Sequence, residues 1–112
     1  MADTKGKPLF PRDERMTINR EFDSVDSFLT EYVSNISTTG AFIRTDEPLP
    51  LGTRVNLRFS IILDDVETIE GVGEVVRISR NPPGMGVVFT RLSAMSRVLI
   101  ERLMVHRRRE GT

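Results

Sequence analysis

Residues 54–63 constrain this chain most. Val55, Leu57, Phe59, Ile61 and Leu63 fall on one side of an extended backbone, and Arg54, Asn56, Arg58 and Ser60 on the other. Strict alternation over this length is the period of a strand with one face in a core and one in water. A strand of this kind cannot stand alone and needs partners on both edges. The rest of the sequence supplies them in short pieces.

Met16 to Phe22 alternates as well, with Met16, Ile18 and Phe22 on one side and Thr17, Asn19 and Glu21 on the other. Asp23 to Ser27 reads as a turn. Phe28 to Ser34 is predicted as a second strand, with Leu29 and Val33 on one face and Phe28 and Tyr32 on the other. Residues 35–40 are rich in turn formers, Ala41 to Thr45 gives a third strand, and Pro48-Leu49-Pro50-Leu51-Gly52 ends it because prolines cannot donate to a ladder. Asp64-Asp65 marks a hairpin after the alternating strand. Glu67 to Ser79 returns, interrupted at Gly71 and Gly73, where glycines inside a long strand point to a bulge or barrel corner. Asn81-Pro82-Pro83-Gly84 is a further turn, and Met85, Val87 and Phe89 make one face of a sixth strand.

The C-terminal segment changes period. Ser93 has the chemistry of an N-cap. Residues 94–108 contain no Gly or Pro, and Met95, Leu99 and Leu103, with Ile100 beside them, recur at helical spacing. Arg107, Arg108 and Arg109 stand where cations suit the end of a helix dipole. The pattern therefore predicts a mainly β fold, a barrel or a sandwich; open edges are a liability, which favours a closed six-stranded antiparallel barrel, with one C-terminal α-helix.

Composition excludes several function classes. The 112 residues suit a single domain. There is no cysteine and only one histidine, His106, so neither a disulfide framework nor a transition-metal site can be assembled. No nucleophile–base pair or phosphate loop is recognisable, and the chain reads as a binding protein rather than an enzyme, with no cofactor required. Sixteen basic residues are balanced by sixteen acidic ones, which lacks the basic excess of a nucleic-acid binder. No apolar run is long enough to span a bilayer, and no signal-peptide pattern opens the chain. The expectation is a cytoplasmic protein without stable membrane insertion. Residues 1–11 are expected to be a flexible leader, 12–106 the domain, and 107–112 a basic tail.

One short motif carries more information. Asn35-x-Ser37-x-x-Gly40 lies at a strand–turn–strand junction. Asn and Ser side chains cap backbone groups in turns, and Gly tolerates backbone conformations closed to other residues. Taken alone, the motif describes a well-made turn.

In its setting it resembles more. Arginines precede it, six strands surround it and a helix ends the chain. NISTTGAFIRT, then PLPLGTRV, GVGEVV and PPGMGVVF, resemble in order the PilZ domain family, specifically the PilZ-like subgroup frequent in myxobacteria and their relatives. The resemblance runs from about Arg12 to His106. It implies a six-stranded barrel with a C-terminal helix, and a signalling domain that in many members binds the bacterial second messenger cyclic di-GMP. Family members do so with R-x-x-x-R in the leader and [DN]-x-S-x-x-G on the barrel. Asn35, Ser37 and Gly40 match the second element in full. The first element departs from the pattern: Arg12 and Arg15 are spaced R-x-x-R with Asp13 and Glu14 between them, and Arg20 lies five beyond Arg15. Guanidinium forks hold guanine edges and phosphates bidentately, so the spacing bears directly on the ligand.

Two readings follow from the resemblance. In the first, the chain is a stand-alone adaptor that tunes bacterial motility or polarity through protein partners, without requiring cyclic di-GMP. In the alternative it is a cyclic di-GMP receptor, with Arg12 and Arg15 clamping the ligand and Asn35, Ser37 and Gly40 completing the site. Val98 and Val105 lie opposite the main apolar arc of the helix; partial burial of the helix from both sides is the expectation, and a surface for a partner or a homodimer the alternative.

Overall fold

A computed structural model describes residues 16–62 and 64–110, with side chains described as far as 106. The expected leader, Arg12, Arg15, Leu63 and the side chains of the basic tail lie outside the described residues.

Six strands form one curled sheet, a half-barrel and not the closed barrel expected: β1 (Met16–Phe22), β2 (Val33–Ser34), β3 (Gly40–Arg44), β4 (Arg54–Ile62), β5 (Val66–Arg80) and β6 (Pro83–Leu92). Their order across the sheet is β1-β4-β5-β6-β3-β2. The alternation in β4 is borne out: Val55, Leu57, Phe59 and Ile61 are buried, while the intervening residues are partly or fully exposed. The β4–β5 hairpin pairs Ile62 with Val66, with Asp64 and Asp65 near its tip. The glycines of β5 mark a real irregularity, since the β5–β6 register shifts between Val72 and Gly73.

Two strand expectations need correction. The sheet is not antiparallel throughout, because β1 runs parallel to β4, with Met16 opposite Val55 and Phe22 opposite Ile61. No hairpin ties these strands together. The long excursion from Phe22 to Arg54 is the kind of crossover that a parallel pair needs.

The second correction concerns residues 25–34, of which only Val33 and Ser34 are strand. Val25–Ser27 forms a short helical turn, α1, and Phe28–Tyr32 continues it as a π-helical turn. The Ser24 hydroxyl accepts from the Ser27 amide at 3.0 Å and starts the turn. The Val33 amide reaches back to the Phe28 carbonyl and closes it. Phe28 and Tyr32 are four apart, a spacing that puts them on one face in a strand and a helix alike. Both are buried against Phe22 and Phe59, with ring centroids 5.0–5.8 Å apart in edge-on or tilted contacts. Burial of these rings fixes the segment.

The C-terminal helix, α2 (Ala94–Glu110), begins as expected: the Ser93 hydroxyl accepts from the Ser96 amide at 3.0 Å. It packs on β5. Leu99, Ile100 and Leu103 are buried, but Met95 is 64% exposed and Ser96 takes its place in the buried stripe. Ser96 lies four before Ile100 and three before Leu99, so it shares their face more closely than Met95 does. Its buried hydroxyl is satisfied, accepting from the Glu70 amide at 2.8 Å and from the Ser93 hydroxyl at 2.8 Å. The helix is thereby pinned to β5 by polar as well as apolar contacts. Among the described residues no helix is long and apolar enough to cross a membrane.

Candidate functional site

The Asn35–Gly40 turn joins β2 to β3 at one edge of the sheet. Asn35 is exposed and has φ of +53°, a left-handed conformation that Asn tolerates better than most residues. Ser37 organises the turn. Its amide donates to the Gly40 carbonyl at 2.9 Å, and its hydroxyl accepts from the Thr39 amide at 3.2 Å and lies 2.9 Å from the Thr39 hydroxyl. The Phe89 amide donates to the Thr39 carbonyl at 2.8 Å and ties the turn to β6.

Gly40 has a different reason to be glycine. Its φ is not in the left-handed region, but β3 and β6 approach closely there. An added Cβ would overlap the Val87 carbonyl oxygen and lie 3.2 Å from Val88 Cα. Each position of the motif thus has a local structural task, and the turn still leaves Asn35 and Thr39 exposed and Ser37 partly so.

The outer face of the sheet continues from this turn. Ser34, just before Asn35, is opposite Phe42, Phe42 is opposite Gly86, and Gly86 is opposite Arg77. The Arg77 guanidinium lies over the Phe42 ring, 5.6 Å from its centroid. Sequence reasoning missed this pair, because Arg77 reaches the face of Phe42 only through a register shift in β5 that the sequence does not announce.

The arginines expected to matter are distributed differently. Arg12 and Arg15 lie outside the described residues. Arg20, in β1, is held over the Tyr32 ring at 4.6 Å and near the Phe22 ring at 5.7 Å. Its role here is to cap the aromatic cluster. Burial pushes the Tyr32 hydroxyl above its ordinary pKa of 10.0, and the charge and hydrogen bond of Arg20 oppose that rise without cancelling it. On β4, Arg58 pairs with Glu70 at 2.8 Å, both well exposed, a contact that contributes little to stability. His106 faces Asp26, with Nε2 3.5 Å from the carboxylate. Among the described residues no group of three His, Asp or Glu side chains is placed to hold a metal ion.

A family model described as the PilZ domain matches residues 9–106. The chain belongs to the PilZ domain family. PilZ domains are signalling domains of the cyclic di-GMP-binding or adaptor type, and the curled six-stranded sheet with its C-terminal helix agrees with their architecture. No curated protein matches the chain.

Proposed function

We propose that this PilZ domain is a cyclic di-GMP receptor whose output passes through protein contacts. The observation that carries the reading is the presentation of the motif turn. Asn35, in its left-handed conformation, and the Ser37–Thr39 hydroxyl pair lie at the protein surface on a turn anchored to β6. Such a turn offers amide and hydroxyl groups in fixed positions, which suits recognition of a nucleotide's polar edges and phosphates. In this reading Arg12 and Arg15 supply the leader's guanidinium groups, and Gly40 keeps β3 seated against β6.

Calorimetric titration of the protein with cyclic di-GMP, with GTP as control, tests it. Selective binding at micromolar concentration or tighter, weakened by Asn35→Ala and by Arg15→Ala, is expected. Absence of heat at high ligand concentration would contradict the reading.

A second reading is supported by α2. Met95, Val98 and Val105 are exposed on the helix at 64%, 50% and 45%, and the leader's arginine spacing departs from the family pattern. Here the domain is an adaptor that regulates motility or polarity through partners without requiring the nucleotide. Under this reading Val98→Asp abolishes partner capture, and cyclic di-GMP has no effect on it.

A further inference from the structure

We propose that Arg77 is a ligand-contacting residue of this domain: its guanidinium, backed by the Phe42 ring, forms a stacking platform for a guanine base. The inference rests on the receptor reading and adds a contact outside both the leader and the Asn35–Gly40 turn.

The backbone aims Arg77. Along β5, Val75 points into the core and Val76 outward, so Arg77 would next point inward. A register shift between Val75 and Arg77 interrupts the alternation: Val75 is opposite Val87, but Arg77 is opposite Gly86. Bulges re-aim side chains in this way. Arg77 is thereby moved to the outer face, and Val76 is left as the extra residue.

The surface beneath it is prepared. Ala41 and Ile43, on either side of Phe42, belong to the core cluster, whereas Phe42 does not. Phe42 therefore stands on the outer face of the sheet, yet it is only 7% exposed. Two glycines of β6 make room for this. A Cβ at Gly84 would overlap the Phe42 ring and sit 2.5 Å from the Ile43 carbonyl oxygen. At Gly86 a Cβ would lie 3.4 Å from Arg77 Cβ and 3.5 Å from its Nε. Ring and guanidinium thus lie across a glycine floor, the guanidinium carbon 5.6 Å from the ring centroid.

Arg77 itself is exposed, and among the described residues no carboxylate pairs with it. Its charge remains available to an anionic ligand. A guanidinium plane stacks on planar π systems as a lysine ammonium cannot, and nucleobases are held on arginine planes in this way. The row Ser34–Phe42–Gly86–Arg77 joins the platform to the motif turn across adjacent strands, each about 5 Å from the next. A nucleotide held at Asn35 and Ser37 would have a base within reach of Arg77.

The test is calorimetric titration of the full chain with cyclic di-GMP, comparing wild type with Arg77→Ala, Arg77→Lys and Asn35→Ala. We expect both Arg77 variants to weaken binding by roughly tenfold or more, with melting temperatures close to wild type because the residue is exposed. Failure of lysine to rescue identifies the plane, not the charge, as the essential feature. Wild-type affinity in Arg77→Ala would overturn the proposal and leave the receptor reading standing, provided Asn35→Ala still weakens binding. Wild-type affinity in Arg77→Lys would overturn the stacking role in favour of charge alone. If the wild-type chain does not bind cyclic di-GMP, the receptor reading fails and this proposal fails with it.

Discussion

Gly40→Ala separates the structural task of the motif from the recognition proposed for it. Gly40 is opposite Val88, and the methyl group of alanine would be driven into the Val87 carbonyl oxygen and against Val88 Cα. Both obstacles are backbone, so no side-chain rotation relieves them. Either β3 lifts from β6, stretching the ladder that runs from Gly40 to Arg44, or β6 bends. Overpacking of this kind costs about 1–3 kcal/mol. Because φ at Gly40 is ordinary, release of left-handed strain plays no part, and alanine's lower unfolded-state entropy returns only about 0.4–1 kcal/mol. In a domain of this size each kcal/mol moves the melting temperature by roughly 4–8 °C. The substitution should therefore lower the melting temperature by several degrees in the absence of any ligand. Scanning calorimetry with circular dichroism measures it. An unchanged melting temperature would refute the packing argument and assign Gly40 to ligand approach alone.

Ser96→Ala removes the acceptor of the Glu70 amide in a buried place. An unsatisfied donor of this kind costs about 1–3 kcal/mol, and hydrogen exchange at the Glu70 amide should accelerate beyond the global loss of stability. Phe28→Ala opens the aromatic cluster around Phe22 and Phe59 and should cost about 3–5 kcal/mol in denaturant unfolding. Tyr32 is the only tyrosine, so absorbance near 295 nm reports it alone. Burial favours the neutral phenol in the folded chain and raises its pKa above 10.0. The associated stability is complete below the unfolded-state value and is lost as pH rises through the folded-state value. The titration midpoint should lie higher in the native than in the denatured protein, and an equal midpoint would contradict the burial argument.

Much of this architecture was legible in the sequence because its periods were unambiguous. β4 alternates without a break through the residues that face the core, and no reading other than a half-buried strand accommodates Val55, Leu57, Phe59 and Ile61. The Ser93 cap and the Leu99–Ile100–Leu103 stripe announced α2. Gly71 and Gly73 announced an irregularity in β5, and the register shifts beside them. What was not legible had a shared cause, in that tertiary contacts chose between local alternatives. Phe28 and Tyr32 satisfy strand and helix periods equally, and only the packing of Phe22 and Phe59 favours a π-helical turn. Met95 and Ser96 compete for the helix's inner face, and the Glu70 amide favours serine. The parallel pairing of β1 with β4 is a property of the chain's path, which local pattern does not encode.

The same distinction holds at the candidate site. Asn35, Ser37 and Gly40 were visible as a motif, and their turn geometry follows from their own chemistry. The pairing of Arg77 with Phe42 was invisible because a second register shift, beside a residue pair with no glycine in it, moves Arg77 to the outer face. Arg20 is an exposed charge that also lies over the Tyr32 ring and hydrogen-bonds its hydroxyl, partners that charge counting does not consider.

On the receptor reading proposed above, the outer face from the motif turn to β6 receives cyclic di-GMP. Two-dimensional 1H–15N spectra recorded through a titration with that nucleotide test it most directly. Saturable shifts are expected at the amides of Asn35 to Gly40, and at Gly86 and Arg77, with α2 largely unmoved. Shifts confined to α2, or none at millimolar ligand, would contradict it.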